Sequence, residues 1–356
     1  MENEGTQFKQ LSRDNHYIPQ MYLGNWSTSK QVWMYYVLVS NEKVPYWSKK
    51  SIDNIAFLTN LYTRVEHGNE VDDFEHDFCD RFESPAKTPL KKIIDSQKLC
   101  ADDWRCVSRY IAAQYVRTPA FYQFVRKMLP GIAEKAISEA GEKLSKVKGS
   151  SLKREITNNA YKDTSLIPID VNFTDEKADE NHTYVEISTV VGKSYWLWAI
   201  QHFLEPTSMV LQAFCNMKWS IVSCPIDCSF PTSDNPVVVF CVDRNGNFEI
   251  TSGISNGNNM VLFPVSPKKL LIGKQKNRLD YRINADEKMY KKLKELIVDQ
   301  AFLYVFSNHE DIEIPKIRKR IVDESLYKQV NADFEKWYDY YIEREVPIIQ
   351  KWEDKA

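Results

Sequence analysis

The sequence of 356 residues contains no apolar run long enough to cross a membrane. A membrane-spanning helix needs about 20 mostly apolar residues, and no stretch here reaches about 18 without interruption. The opening residues, MENEGTQFKQLSRDNH, have neither the basic run nor the apolar run of a signal peptide. We therefore expect a cytoplasmic protein that does not associate with membranes.

An excess of charge of either sign is also missing. Lysine and arginine total 47 and aspartate and glutamate total 49, so the net charge of -2 gives no overall attraction to nucleic acid or anionic lipid. Binding of either would require a local patch. The 7 cysteines are an odd number scattered along the chain, which does not suit a disulfide framework and favours a reducing compartment.

Several common functional motifs are absent. The sequence has no complete P-loop, no G-x-G-x-x-G pattern and no H-E-x-x-H pattern. These absences exclude the most frequent nucleotide-binding patterns and a frequent zinc-protease pattern, although they are compatible with an enzyme of another kind. We also find no internal repeat and no low-complexity tract.

The composition is that of an ordered globular chain, with 43% apolar and 13% aromatic residues. Helical periodicity predicts helices over residues 71–83, 102–117, 122–148, 195–214, 284–301 and 326–341. Ser84-Pro85 is expected to stop the first of these helices, and Pro206 is expected to interrupt the fourth. Short apolar runs predict strands over residues 31–39, 183–191, 218–224, 236–242, 248–251, 260–264 and 269–273.

These elements predict an α+β fold, in which a helical middle region packs against a mostly antiparallel sheet and C-terminal helices follow. We divide the chain into an N-terminal and helical region (1–150), a polar linker or excursion (151–181), a sheet-rich region (182–322) and a C-terminal helix (323–356). All four parts together could form one domain. The C-terminal helix either docks on the body or mediates a homodimer.

The segment DNHYIPQMYLGNW, residues 14–26, concentrates aromatic residues around one histidine. A shielded imidazole such as that of His16 can act as a general base or as a ligand, because its surroundings shift its pKa. The simpler interpretation is that His16 anchors the segment through hydrogen bonds, and for a single histidine this is the more frequent case.

Gln114 and Arg117 lie three residues apart near the end of a predicted helix and therefore face the same way. An arginine in this position can clamp a phosphate or carboxylate with two parallel hydrogen bonds. Alternatively, Arg117 is a cation favoured by the dipole at the helix C-terminus. That alternative explains Arg117 but not Gln114.

Glu75 and Glu83 lie two turns apart on the helix that carries Phe74, Phe78 and Phe82. Carboxylates at this spacing can project into one pocket. Charges opposite an apolar stripe are more often a solvated helix face, so each glutamate has this second interpretation.

The segment PTSDNPVVVF, residues 231–240, places Asp234 and Asn235 in a turn directly before an apolar strand. A rigid strand end can hold a catalytic or binding loop, but Asp-Asn-Pro is also favourable turn chemistry in its own right. The nearby pair Cys224 and Cys228 has no second Cys or His pair at zinc-site spacing, so structural cysteines are the better interpretation.

Two local basic patches could follow a phosphate backbone. Residues 126–154 contain eight lysines and arginines against three glutamates, and KIRKR occupies residues 316–320. Such runs are more often exposed helix faces and turns, and KIRKR has no aromatic residues interleaved with it.

Taken together, spaced motifs resemble a bacterial domain family of unknown function whose members open with His-Tyr-aliphatic-Pro and later carry a Ser-Asp-Asn-Pro turn. The motifs follow in order as HYIPQMYLGNW, NLYT, DDFEHDFCDRFES, AAQYVRTP, TSDNPVVV and FPVSPKKLLI, and the resemblance covers about residues 16–306. The residues that match the family pattern are His16, Pro19, Glu75, Glu83, Gln114, Arg117, Asp234 and Asn235. Trp26 replaces the usual Phe, which suggests a packing role. By analogy, the resemblance implies a role in defence or a toxin-like role.

The first functional hypothesis is hydrolysis of a phosphodiester or nucleotide at a pocket between the helical and sheet-rich regions. His16 would act as base and Arg117 would stabilise charge on the phosphate, while Glu75 and Asp234 would orient groups or bind a divalent metal ion. Gln114 and Asn235 complete the predicted site. No organic cofactor is indicated.

The second hypothesis is a non-enzymatic binding or sensing protein, in which the same side chains form a buried polar network that locks the N-terminal segment onto the body. Accessibility distinguishes the two, because an enzyme needs these groups to line an open pocket. A third hypothesis is nucleic-acid binding through residues 126–154, which would weaken steeply with added salt.

Overall fold

A computed structural model describes residues 11–144, 167–175, 183–243, 245, 248–251, 253–254, 258–276 and 279–353. Its helices are α1 (Gln20–Leu23), α2 (Asp73–Phe78), α3 (Ser84–Ile94), α4 (Ala101–Val116), α5 (Pro119–Leu144), α6 (Lys193–Leu204), α7 (Met209–Cys215), α8 (Glu287–Gln300), α9 (Ile314–Ile317), α10 (Glu324–Glu335), α11 (Trp337–Arg344) and α12 (Val346–Glu353). Short 3₁₀ turns occupy Gly24–Trp26 and Ile52–Asn54, and a π-helical turn occupies Cys79–Glu83.

The strands are β1 (Asp14–His16), β2 (Gln31–Tyr36), β3 (Leu38–Val39), β4 (Trp47–Ser51), β5 (Phe57–Thr59), β6 (Arg64–Glu66), β7 (Asn69–Val71), β8 (Ile169–Asp175), β9 (Thr183–Thr189), β10 (Lys218–Ser223), β11 (Thr232–Ser233), β12 (Val238–Val242), β13 (Phe248–Ile250), β14 (Met260–Ser266), β15 (Lys269–Lys274), β16 (Arg282–Asn284), β17 (Tyr304–Ser307) and β18 (Ile321–Val322).

The described strands form a six-stranded sheet in the order β13-β12-β14-β15-β10-β16 and a four-stranded sheet in the order β11-β17-β2-β4, accompanied by two-stranded pairs. Within this part of the chain the pairing is antiparallel except for β10 with β16 and β18 with β3. The predicted α+β fold with a mostly antiparallel sheet is therefore confirmed.

The phenylalanine-striped helix continues past the point where the sequence predicts its end. Phe74, Phe78 and Phe82 are buried as expected. The π-helical turn follows α2, and α3 begins at Ser84 with Pro85 in its first turn. The Ser84 backbone N–H bonds the Cys79 carbonyl five residues earlier, which is the wider spacing of a π-helical turn, and Pro85 follows with no N–H of its own to donate. The expected stop at Ser84-Pro85 is therefore wrong.

The helix starts differ from their predicted positions by one to three residues. Cys100 precedes α4, and the Asp103 carboxylate accepts a hydrogen bond from the Cys100 backbone N–H at 2.8 Å, so Asp103 acts from inside the first turn. Before α8, which was predicted to begin at residue 284, the capping residue is Asp286. Its carboxylate accepts from the Met289 backbone N–H at 2.7 Å.

Part of the predicted linker is a strand. Strand β8 pairs with β9 in antiparallel register from Ile169 opposite Thr189 to Asp175 opposite Thr183. The sequence of β8, IDVNFTD, alternates apolar and polar residues, which is the period of a strand. Residues 151–166 and 176–181 of that predicted linker lie outside the described residues. As predicted, the long apolar helix is interrupted near Pro206, between α6 and α7.

The largest buried cluster joins the N-terminal segment, the helices and both larger sheets. In it, Trp26 is buried and donates its indole N–H to the Phe230 carbonyl at 2.8 Å, which agrees with the packing role expected for this residue. Tyr22 bonds both Thr232 and the Pro264 carbonyl, at 2.7 and 2.9 Å. These bonds fix the N-terminal segment against the sheet-rich region.

The C-terminal helices dock on the body. The ring of Trp337 lies 4.1 Å from that of Tyr122 and 5.4 Å from that of Trp196, measured between ring centroids. The Glu345 carboxylate reaches the first turn of α6. Among the described helices, none combines the length and apolar character that crossing a membrane requires.

Candidate functional site

Arg117 directly follows α4 and its side chain is buried, with an exposed fraction of 1%. Its guanidinium donates to Glu83 Oε1 at 2.5 Å and to the His16 carbonyl at 2.5 Å, and its Nε lies 3.3 Å from the Tyr62 hydroxyl. The guanidinium carbon also lies 4.3 Å from the centre of the Phe78 ring. Each edge of the cation therefore has a partner inside the protein.

Burial by itself would lower the pKa of Arg117, but nearby Tyr62, Glu83 and Glu75 raise that pKa above its ordinary value. The cation is thus permanently charged. A charge taken out of water needs counter-charges and hydrogen bonds, and Glu83 supplies the nearest one.

The Gln114 side chain extends the contact made by Arg117. Its amide donates to the Tyr17 carbonyl at 2.7 Å, while its own carbonyl oxygen is buried without a hydrogen-bond partner. Gln114 and Arg117 thus hold the carbonyls of the consecutive residues Tyr17 and His16. This arrangement explains why the two side chains share one face of α4.

Arg117 bonds the backbone carbonyl of His16, whereas the imidazole of His16 contacts other residues. Its Nε2 lies 3.3 Å from the Gln20 amide nitrogen, and its ring centre lies 5.4 Å from that of Phe57. Partial burial lowers the pKa of His16, the Asp53 backbone opposes this effect, and Arg117 adds to it. The pKa of the half-buried ring thus lies below its ordinary value.

Glu75 belongs to the same region. Its carboxylate lies 3.5 Å from the Asn15 amide nitrogen, and burial raises its pKa despite the attraction of Arg117. Asn15 is fully buried and also joins the Ser12 carbonyl and the Tyr62 backbone N–H, at 2.9 and 3.1 Å. The sequence analysis did not predict a role for Asn15. Its position next to His16 in the N-terminal segment was the one feature that could have indicated it.

Asp234, like Gln114 and Arg117, holds the backbone of a distant segment. Its carboxylate accepts hydrogen bonds from the backbone N–H groups of Phe302, Leu303 and Tyr304 at 2.7, 2.6 and 3.1 Å. Burial raises the pKa of Asp234 to about 6, although these three hydrogen bonds oppose the shift. Asn235 donates to the Gln300 carbonyl at 3.2 Å. Both residues thus fix the chain between α8 and β17.

The structure therefore brings the predicted site residues together in two groups. His16, Glu75, Gln114 and Arg117 surround the N-terminal segment, whereas Asp234 and Asn235 hold residues 300–304. The catalytic roles suggested for these residues stay predictions.

A cavity of about 620 Å³ lies where segments held by the two groups meet. It is lined by Tyr17, Met34, Tyr36, Lys50, Asn54, Ile55, Ala56, Phe57, Leu58, Thr59, Pro119, Phe302, Leu303, Tyr304, Asn331, Phe334 and Glu335. Gln114 holds Tyr17, and Asp234 holds residues 302–304. Gln114 and Asp234 thus hold residues of the cavity wall and do not themselves line the cavity.

The lining includes one strained backbone position. Ala56 has a φ angle of +55°, a left-handed conformation that is unusual for a residue other than glycine. Its carbonyl accepts hydrogen bonds from the backbone N–H groups of Tyr17 and Ile18 at 3.0 and 3.4 Å. Strain of this kind persists where surrounding contacts fix the backbone, and such positions concentrate at functional sites.

A second buried charged group was missed from the sequence. Lys193 is buried at the start of α6, and its ammonium donates to the carbonyls of Asn60 and Thr63. Burial lowers the pKa of Lys193, against the attraction of Glu345 and Glu70. The only signal in the sequence was the position of Lys193 next to the short loop before an apolar helix. Its hydrogen-bond partners lie far away in sequence and gave no signal.

Glu345 completes that contact from the C-terminal side. Its carboxylate accepts from the backbone N–H groups of Lys193 and Ser194 at 2.9 and 2.7 Å, and burial raises its pKa. It therefore satisfies the free amide groups at the start of a helix, where negative charge is favoured.

The remaining candidates bond other groups of the protein. The Cys224 thiol donates to the Cys228 carbonyl at 3.0 Å. In KIRKR, Arg318 donates to the Asp299 carbonyl at 2.8 Å and Arg320 to the Val44 carbonyl at 2.5 Å. Arg126 lies 3.2 Å from Asp333, and residues 145–154 of that basic patch fall outside the described residues. Across the described ranges, no three His, Cys, Asp or Glu side chains group as a metal site would require.

Comparison with known proteins identifies the family. Residues 14–311 match the family model described as "Protein of unknown function (DUF4238)", so the chain belongs to this family. The resemblance to a domain family of unknown function is thereby confirmed. No curated protein matches the chain. No solved structure matches it either.

Proposed function

We propose that this DUF4238 protein is a non-enzymatic binding or sensing protein that holds a small aromatic molecule in the cavity framed by its polar motif residues. The observation that carries the proposal is where those residues direct their hydrogen bonds. Gln114, Arg117 and Asp234 are each 1% exposed and bond backbone groups of the segments on which the cavity is built.

The cavity has the size and lining of a ligand site. Small-molecule sites usually measure about 300–1,000 Å³ and combine apolar and aromatic walls with a few polar groups. Here the volume is about 620 Å³, and aromatic rings come from β2, β5, β17, α10 and the N-terminal segment. The walls come from distant parts of the chain, and the hydrogen bonds of Gln114, Arg117 and Asp234 fix their relative positions.

Burial also distinguishes this proposal from hydrolysis of a phosphodiester or nucleotide. A hydrolase would require Arg117 to meet a phosphate, but its guanidinium is enclosed by Glu83, Tyr62 and the His16 carbonyl. Asp234 is likewise turned toward backbone N–H groups. Removal of these partners would leave buried charges without compensation, which favours a structural network over a substrate contact.

Two neighbouring lysines on β4 provide a matched test. Lys50 lines the cavity, whereas Lys49 lies on the opposite face of the strand with its ammonium 5.8 Å from the centre of the Trp33 ring. Lys50→Trp should obstruct the mouth of the cavity, and Lys49→Trp should leave it open. Both positions are exposed, so both variants should fold.

Binding of indole, a neutral aromatic probe, can be followed in the full chain by ligand-observed NMR titration. We expect the wild type and Lys49→Trp to bind indole with similar affinity and Lys50→Trp to bind it at least about 10-fold more weakly, which corresponds to about 1.4 kcal/mol. Equal binding by both variants, or no binding by the wild type, would contradict the proposal. Hydrolysis of bis-p-nitrophenyl phosphate that requires His16 would support the rival hypothesis instead.

A further inference from the structure

The rim of the cavity carries one positive and one negative side chain. Lys50 lies on β4 and Glu335 is the last residue of α10, and both line the cavity and are exposed. Neither makes an ion pair or a side-chain hydrogen bond with another residue of the described ranges. Two opposite charges that share a rim without pairing can each bind a group of a ligand.

Six of the 17 residues that line the cavity carry aromatic rings. The rings belong to Tyr17, Tyr36, Phe57, Phe302, Tyr304 and Phe334. Tyr36 meets Tyr304 edge-on with ring centres 5.9 Å apart, and Phe302 meets Phe334 edge-on at 6.3 Å. These four rings are only half-buried, so part of each surface is open to a third aromatic ring.

Each simpler ligand class leaves part of this arrangement unused. A neutral aromatic molecule would contact the rings and neither charge. An aromatic anion would suit Lys50 but meet repulsion from Glu335, and an aromatic cation would have the reverse problem. A molecule with an aromatic ring and both charges satisfies the three features together.

We infer that the cavity binds a free aromatic amino acid, with its ring between the aromatic walls, its carboxylate toward Lys50 and its ammonium toward Glu335. This inference rests on the proposed binding function and names the ligand class of that same cavity. The cavity exceeds the volume of such a ligand, so ordered water can bridge the polar groups. Because the rim is solvent-exposed, each charge contributes roughly 2- to 5-fold in affinity.

The four probes needed for the test share one ring. L-Tryptophan carries both charges, indole-3-propionate lacks the ammonium, tryptamine lacks the carboxylate and indole lacks both. We expect the wild-type full chain, titrated by isothermal calorimetry, to bind L-tryptophan more tightly than each of the other three. Lys50→Gln should weaken binding of L-tryptophan and indole-3-propionate by roughly 2- to 5-fold and should strengthen binding of tryptamine, from which it removes a repulsion. Glu335→Gln should weaken binding of L-tryptophan and tryptamine and should strengthen binding of indole-3-propionate, which Glu335 repels.

Matched controls are Lys49→Gln, on the opposite face of β4, and Glu343→Gln, on the exposed side of α11. Both should bind all four probes as the wild type does. If indole binds and L-tryptophan binds no more tightly, the zwitterion inference is wrong while the cavity function stands. If none of the four probes binds, the proposed function itself is wrong. Loss of L-tryptophan binding in the control variants as well would also overturn the inference.

Discussion

Gln114 and Arg117 lie three residues apart on one face of α4 and donate to the carbonyls of two consecutive residues, Tyr17 at 2.7 Å and His16 at 2.5 Å. Tyr17 lies in the bend that directly follows β1. The two side chains therefore hold adjacent carbonyls at the point where the N-terminal segment turns. This contact places Tyr17 in the wall of the cavity.

Gln114→Ala should destabilise the protein by about 1–3 kcal/mol, because it leaves the buried Tyr17 carbonyl without a hydrogen-bond partner. Urea unfolding followed by far-ultraviolet circular dichroism measures this change. Gln329→Ala, on the exposed side of α10, is the control and should stay within about 0.5 kcal/mol of the wild type. Equal stability of the two variants would show that the Gln114 contact is unimportant.

Arg117→Met should cost about 3–5 kcal/mol, since it leaves Glu83 near a buried site without its counter-charge and frees the His16 carbonyl. Chemical unfolding again gives the free energy. Arg126→Met breaks the exposed pair with Asp333 and should cost less than about 1 kcal/mol. A well-folded Arg117→Met protein of wild-type stability would argue that Arg117 serves a substrate and not the fold.

Asp234 predicts a specific dependence of stability on pH. Its pKa in the folded protein is about 6, against an ordinary value of 3.8. The folded state therefore binds a proton more tightly than the unfolded state. The resulting stabilisation is fully present below pH 3.8, decreases as the pH rises and is lost once the pH passes about 6. A difference of about 2 pKa units corresponds to roughly 3 kcal/mol.

Asp234→Asn isolates this effect, because the amide keeps one acceptor oxygen and does not titrate in this range. The free energy of unfolding of the wild type minus that of Asp234→Asn should increase by roughly 2–3 kcal/mol between pH 7 and pH 4. Parallel pH profiles for the two proteins would mean that Asp234 has an unperturbed pKa.

Local sequence signals gave much of the fold. Helical spacing predicted α4 and placed Gln114 and Arg117 on one face, and the apolar runs predicted five of the six strands of the larger sheet. The sixth strand, β16, was missed, and it is the one that pairs in parallel. In contrast, the π-helical turn before Pro85 has no periodic signature, so the helix that continues through it was expected to stop. The alternation in IDVNFTD did carry a strand signal, but the polar residues around it obscured that signal.

The partners within the site were harder to predict for a different reason. Arg117 meets the His16 carbonyl 101 positions away, and Lys193 meets the carbonyl of Asn60 across 133 positions. Every residue has a backbone carbonyl, so the residue type of such a partner does not show that a side chain bonds it. The sequence thus indicated Arg117 but not the carbonyl that it bonds, and it indicated neither Lys193 nor the partners of Lys193.

The most direct test of the account is to measure intermolecular nuclear Overhauser effects between bound indole and the isotope-labelled full chain. If Gln114, Arg117 and Asp234 hold the walls of a ligand cavity, indole protons should show contacts to the rings of Phe57, Tyr36 and Tyr304. Contacts that are confined to other surfaces of the protein, or the absence of any contact at saturating indole, would contradict it.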